Sequence, residues 1–325
     1  MTTINFFQKT AKNKSTAAPL MGFPGVQLTE TNLKTNLFNP SVQAKSLMQI
    51  SKLSGVDVIF PMMDLSIEAG ALGLTVTYPD MESPSVENHP INSSKDLAAF
   101  KNIDITKDCR VWSAVETIRI LKSEQSKPIC AYICGPFSLT GLLIGTTKIF
   151  MSLYDTPDDI KKIIDFAANL EIAYAKLLQE AGADAVCMLE PTAMMMSPND
   201  FVNFVSAPIR KIVESLEIPS ALHICGDSTH LVEAMCDTGI SALSLDAPVD
   251  IPAVMPKVPE NICVIGNIDP ANLMLRGTPD EVTAKVTDLK AKMQEYGNYI
   301  MSTGCDLPPD TPLANIEAFA NAVKS

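Results

Sequence analysis

His223 and Cys225 stand two residues apart in Ala221-Leu222-His223-Ile224-Cys225-Gly226, and a third soft donor, Cys305, ends Ser302-Thr303-Gly304-Cys305. Both stretches read as strands. Residues two apart in a strand point to one side, so His223 and Cys225 converge on a common point. One imidazole and two thiolates suit zinc, and three protein ligands with an open fourth position describe a catalytic ion, not a structural one. Zinc ionises a bound thiol near neutral pH, and a thiolate is a methyl acceptor. The competing reading is a core imidazole beside two buried thiols.

Other residues are candidates for the same site. Glu190, in Met188-Leu189-Glu190-Pro191, closes the strand before His223. It is a candidate fourth ligand displaced by substrate, an acceptor behind the ligands, a general base, or a helix cap. Asp64 and Asp269 are further catalytic candidates, although Asp269 before Pro270 is also ordinary turn chemistry. Cys134 before Gly135, Met194 in the run Met194-Met195-Met196, and Asn267 are candidate contacts for a bound cofactor; methionine adapts to flat apolar ligands but is more often core. Asp227 reads as a helix N-cap, His230 as a surface residue and His89 as part of a loop. There is no Walker loop and no GxGxxG after a strand, and the three histidines support no Ser–His–Asp arrangement.

Short apolar runs alternate with helix-patterned segments, the mark of a parallel α/β architecture. Eight runs read as strands: 19–25, 56–63, 128–135, 184–191, 219–226, 240–248, 263–270 and 299–307. Helices are expected over 41–53, 111–126, 158–181, 198–216, 229–237, 279–296 and 312–323. Between the sixth and seventh strands a proline-broken connection leaves no room for a full helix. Eight such units predict a (β/α)₈ barrel, one domain over 1–325, with an N-terminal extension and an insertion after the second strand. An extra strand is expected near 72–78, outside the barrel. Cys134, Glu190, His223, Cys225, Asp246, Asn267, Asp269, Cys305 and Asp306 all fall near predicted strand C-termini, where barrels of this kind build their active sites.

The chain has 325 residues, 46% of them hydrophobic, and a formal charge of −12. That balance argues against nucleic-acid or anionic-membrane partners. No apolar run reaches the roughly 18 residues of a membrane span, and the first seven residues carry no secretion signal. Eight dispersed cysteines favour thiol or metal use over disulfides, so a reduced, cytoplasmic setting is expected.

Several stretches together resemble the uroporphyrinogen decarboxylase superfamily, and within it the methylcobamide:coenzyme M methyltransferases. They are Asp64-Leu65-Ser66-Ile67-Glu68-Ala69-Gly70-Ala71-Leu72-Gly73, Cys134-Gly135-Pro136-Phe137-Ser138-Leu139, Leu222-His223-Ile224-Cys225-Gly226, Val264-Ile265-Gly266-Asn267-Ile268, and the run from Gly304-Cys305-Asp306 to Asn315. The resemblance implies a barrel whose zinc, held by His223, Cys225 and Cys305, activates a small thiol. The thiolate then takes a methyl group from the methyl-Co(III) corrinoid of a partner protein, leaving Co(I). The family often has Asp where this chain has Glu190. Other members run the transfer from a methylated substrate to the corrinoid.

Three alternatives differ in sequence demands. The decarboxylase needs N-terminal arginines for a many-fold carboxylated porphyrinogen, whereas here no arginine precedes Arg110. Cobalamin-independent methionine synthase is much larger. A zinc- or corrinoid-binding protein without turnover is the non-enzymatic alternative.

Overall fold

The computed structural model describes residues 5–325. Residues 1–4, the start of the stretch read for a secretion signal, lie outside it. The sheet that carries the site has six parallel strands in the order β3 (Cys130–Cys134), β4 (Ala185–Leu189), β5 (Ser220–Ile224), β6 (Ala242–Leu245), β7 (Cys263–Ile268) and β8 (Tyr299–Thr303). Every residue of β3, β4, β5, β6 and β8 is buried, as befits strands with both faces covered. The short strands β1 (Val76–Thr77) and β2 (Ser85–Val86) pair antiparallel outside this sheet, where the extra strand is expected.

The first two expected strands are corrected by the structure. Neither 19–25 nor 56–63 forms a ladder; only isolated parallel bridges remain, Ala17 to Met301 and Ile59 to Ile129. These extended segments still join the two edges of the six-stranded sheet. The Ala18 N–H donates to the Met301 carbonyl (3.1 Å), Asp57 to Ala17 (2.9 Å), Ile59 to Pro128 (2.9 Å), and Cys130 to Ile59 (3.0 Å). Pro19, Pro24 and Pro61 lack the N–H that a ladder needs, and Phe23–Gly25 turns into a 3₁₀ helix. The result is a (β/α)₈-type ring in which six positions are regular strands and two are held by single bridges.

Side chains alternate between two layers. Val58, Phe60, Cys130, Tyr132, Cys187, Leu189, Ala221, Cys263, Ile265 and Ile300 fill the inside, together with Phe7 from the helix Phe6–Lys12. Ile133, Met188, Leu222, Leu243, Val264, Tyr299 and Met301 pack outward, where the helices lie. Because Ala221 faces inward, parity puts His223 and Cys225 on the inner side at the C-terminal end of β5.

Helices form over Pro40–Ser54, Cys109–Glu124, Pro157–Ala181, Ala207–Glu214, Pro279–Lys292 and Leu313–Lys324, close to expectation. The β6–β7 connection holds only a single helical turn, Ile251–Val254, with a 3₁₀ turn after it. Among the described residues no single helix is long and apolar enough to cross a membrane.

Candidate metal centre

The three residues picked from sequence meet at one point. His223 Nε2 lies 3.1 Å from Cys225 Sγ and 3.7 Å from Cys305 Sγ, and the two sulfurs are 3.7 Å apart. They form the one group of His, Cys, Asp or Glu donors with metal-binding spacing among the described residues. A tetrahedral zinc with ordinary bond lengths separates two sulfur ligands by about 3.8 Å and a sulfur from a nitrogen by about 3.6 Å. The donor set therefore fits zinc in chemistry and spacing.

Local structure explains the convergence. Gly226 takes a left-handed φ of +83° after β5, and the loop after β8 brings in Cys305. That loop passes directly over the end of β6: a Cβ on Gly304 would sit 2.4 Å from the Ala247 nitrogen. Only glycine allows this approach, so Gly304 sets how near Cys305 comes to β5.

The ring of His223 is fixed from behind. Its Nδ1 pairs with Ser244 Oγ at 3.0 Å, which leaves Nε2 for the sulfurs. Asp246, at the end of β6, accepts from the Gly226 N–H (2.7 Å) and the Ala247 N–H (2.7 Å). Burial opposes a charge on His223, but Cys305 and the Asp246 carboxylate outweigh it and raise the imidazole pKa. The hydrogen bond shared with Cys225 and burial push the Cys305 thiol far up. Two thiols this close ionise together only beside a cation. Burial pushes Asp306, next to Cys305, up to about 7, although the nearby amides of Met63, Gly22 and Leu307 pull it down.

The family model for uroporphyrinogen decarboxylase (URO-D) matches residues 25–325. This chain belongs to the URO-D family. Among similar proteins, the methylcobamide:CoM methyltransferase MtbA of Methanosarcina mazei is 31% identical over 279 residues, covering 83% of this chain and 80% of that protein. MtaA of Methanosarcina barkeri, with the same activity in its name, is 28% identical over 291 residues, 87% of this chain and 84% of its own length. A methyltransferase structure from Methanosarcina mazei superposes with a TM-score of 0.87 at 22% identity, covering 97% of each chain. A B12-independent methionine synthase from Shewanella reaches a TM-score of 0.60 at 16% identity over 94% of this chain and 96% of its own. Both structures share the fold. The named relatives are enzymes, and so is this URO-D chain.

The remaining sequence candidates divide into those near the centre and those held elsewhere. Met194 lies against Gly226, with its Cγ 3.4 Å from where a Cβ would be. Asn267 donates through Nδ2 to the carbonyls of Asp246 (2.9 Å) and Val249 (2.6 Å), so it braces the β6 loop. Glu190 is held as a helix cap. Its two oxygens accept the N–H groups of Phe137 (3.0 Å) and Ser138 (2.5 Å) at the start of the helix Pro136–Ile144. Burial nevertheless raises its pKa to about 7. Gly135 makes room for it, since a Cβ there would meet the carboxylate at 2.3 Å.

Three other expectations are corrected on local grounds. Cys134 is only 1% exposed and packs within the main core, where burial raises its thiol pKa. Asp269 caps its own turn, accepting from Ala271 (2.9 Å) and Asn272 (2.7 Å), as its Asp-Pro context allows. Asp64 is buried in an ion pair with Arg110 (3.0 Å) and also accepts from the N–H and Oγ of Ser66.

Sequence reasoning missed Ser244, the partner of His223, and gave no role to Arg110 or Glu171. Glu171 had a legible signal. In the helix Pro157–Ala181 the buried residues Ile160, Ile164, Ala167, Glu171, Tyr174 and Leu178 follow helical spacing, so a carboxyl sits in an apolar stripe. It meets Glu68, whose Oε1 accepts the Cys134 N–H at 2.9 Å.

Proposed function

We propose that this URO-D family member is a zinc-dependent methyltransferase that moves a methyl group between the corrinoid of a partner protein and a small thiol or methylated substrate. The observation that carries this reading is the trio His223, Cys225 and Cys305, set with zinc-ligand spacing at the strand ends where this fold does its chemistry. When bound, zinc would supply Lewis acidity that keeps a thiol ionised at neutral pH.

The chain's own residues do the rest. Ser244 holds the His223 tautomer, Asp246 ties the loop after Cys225 to β6, and Asn267 steadies the Asp246 backbone. In the thiol direction, sulfur gains the methyl group, the methyl–cobalt bond breaks with its electron pair left on cobalt, and the thiol proton goes to solvent. The corrinoid docks over the strand C-termini, the end at which these ligands lie.

The decarboxylase reading lacks its electrostatics. The first arginine, Arg110, is buried against Asp64, so it offers no charge to a porphyrinogen carboxylate. The test is methyl transfer from methylcobalamin to thiols, with loss of the methyl–cobalt absorbance read beside thioether formation. Wild type should turn over, and Cys305→Ala should lose at least ~100-fold in rate. Equal rates would sink the proposal.

A further inference from the structure

The segments leaving the sheet carry acids and almost no fixed positive charge. Past β3, residues 135–147 hold no Lys or Arg; past β4, 190–209 hold none; past β5 and β6, 225–256 hold none. The same is true of 269–275 after β7, of 304–323 after β8, and of 60–94 after the segment bridged at Ile59. Those six runs include Asp64, Glu190, Asp227, Asp246, Asp269, Asp306 and Asp310.

The first cation beyond five of these runs has a local partner; the first beyond 60–94 is Lys95, which is exposed and whose charge acts on Asp159. Lys148 binds Asn92 Oδ1 (3.0 Å) and Arg276 binds Asn272 Oδ1 (3.3 Å). Lys257 pairs with Glu233 (3.0 Å), Lys324 with Asp57 (3.8 Å), and Arg210 with the Asp237 carbonyl. Arg110, which begins the helix after the long insertion, is buried on Asp64 at 3.0 Å. At the centre itself Asp246 accepts the Gly226 N–H, next to Cys225, at 2.7 Å, and Asp306 directly follows Cys305.

We infer that the small molecule taken at this centre is neutral or cationic at the end away from its reacting atom, and carries no sulfonate or carboxylate there. The inference rests on the zinc–thiol reading above and narrows it. A divalent ion held by two thiolates and a neutral imidazole has no net charge left over for a distant anion. A thiolate that also bears a sulfonate therefore brings a second negative charge beside Asp246, with no Lys or Arg in the strand-end loops to receive it. Like charges set together in a partly desolvated site oppose binding. In this respect the chain parts from relatives whose names specify coenzyme M, which is a sulfonated thiol.

Three two-carbon thiols separate the possibilities: 2-mercaptoethanesulfonate, 2-mercaptoethanol and 2-aminoethanethiol. Their dissociation constants are measured by calorimetry on the zinc-reconstituted protein, corrected for each thiol's ionised fraction, at low and high salt. Methyl transfer from methylcobalamin is followed separately. The expected result is that the neutral and cationic thiols bind at least roughly tenfold more tightly than the sulfonate. The gap should shrink as salt rises. Equal or tighter binding of the sulfonate overturns the inference, as does the absence of binding by all three. If the binding order holds but no thiol is methylated, the charge inference stands and the methyltransferase reading falls.

Discussion

The ring nitrogen of His223 that faces away from the sulfurs is held by one hydroxyl, Ser244 Oγ, at 3.0 Å. Removing such a partner typically weakens a metal site about 10–100-fold. Ser244→Ala should therefore lower zinc affinity by about tenfold or more, read by chelator competition, while the melting temperature of the metal-free protein barely moves. Unchanged affinity would mean that the Ser244 contact does not orient the ligand. Glu190 makes the opposite forecast. Its carboxylate serves two buried amides, and orphaning each costs about 1–3 kcal/mol. Glu190→Ala should lose several kcal/mol of stability by denaturant titration yet retain its zinc, with Glu190→Gln between the two. Loss of zinc from a folded Glu190→Gln protein would restore Glu190 as a ligand. That His223 and Cys225 would face one point was legible in sequence because His-x-Cys parity on a strand is a strict geometric rule. The role of Glu190 was not, because a strand-end carboxylate reads the same whether it faces a metal or the helix of the preceding unit.

At the scale of elements, a buried carboxyl pair joins the helix Ile67–Ala71 to the helix Pro157–Ala181. Burial raises the Glu68 pKa to about 7 and the Glu171 pKa well above its usual range, the latter also through the charge of Glu68. Both folded pKa values lie above the unfolded ones, so the native state holds protons that the unfolded chain releases. Their contribution is fully present below about pH 4.3, the ordinary Glu value. It is lost progressively as pH rises above that value, for Glu68 by about 7 and for Glu171 further up. Stability measured from pH 6 to 9 should fall, and Glu171→Gln should flatten that fall and raise stability at the alkaline end. A slope identical to wild type would show that the pair is not the source. The six regular strands were legible as unbroken apolar runs. The two bridged segments were not, because Pro19, Pro24 and Pro61 remove ladder donors from runs that are otherwise strand-like.

For the whole molecule, the ring architecture does the gathering. β5 and β8 stand three places apart in the sheet order, yet the curvature of the ring and the close pass of Gly304 over Ala247 bring Cys305 to His223 and Cys225. Barrel class and functional end were readable from eight strand-like runs with polar residues at their C-termini. Which polar residues turn inward depended on pairings of 20 residues or more, such as His223 with Ser244, that no local pattern encodes. The central claim is that this end of the barrel holds one catalytic zinc. Metal content of the purified protein, wild type beside His223→Ala, tests it most directly. Wild type should carry about one zinc per chain and a folded His223→Ala variant almost none. Zinc-free wild type prepared without chelators, or a variant that keeps its full equivalent, would contradict it.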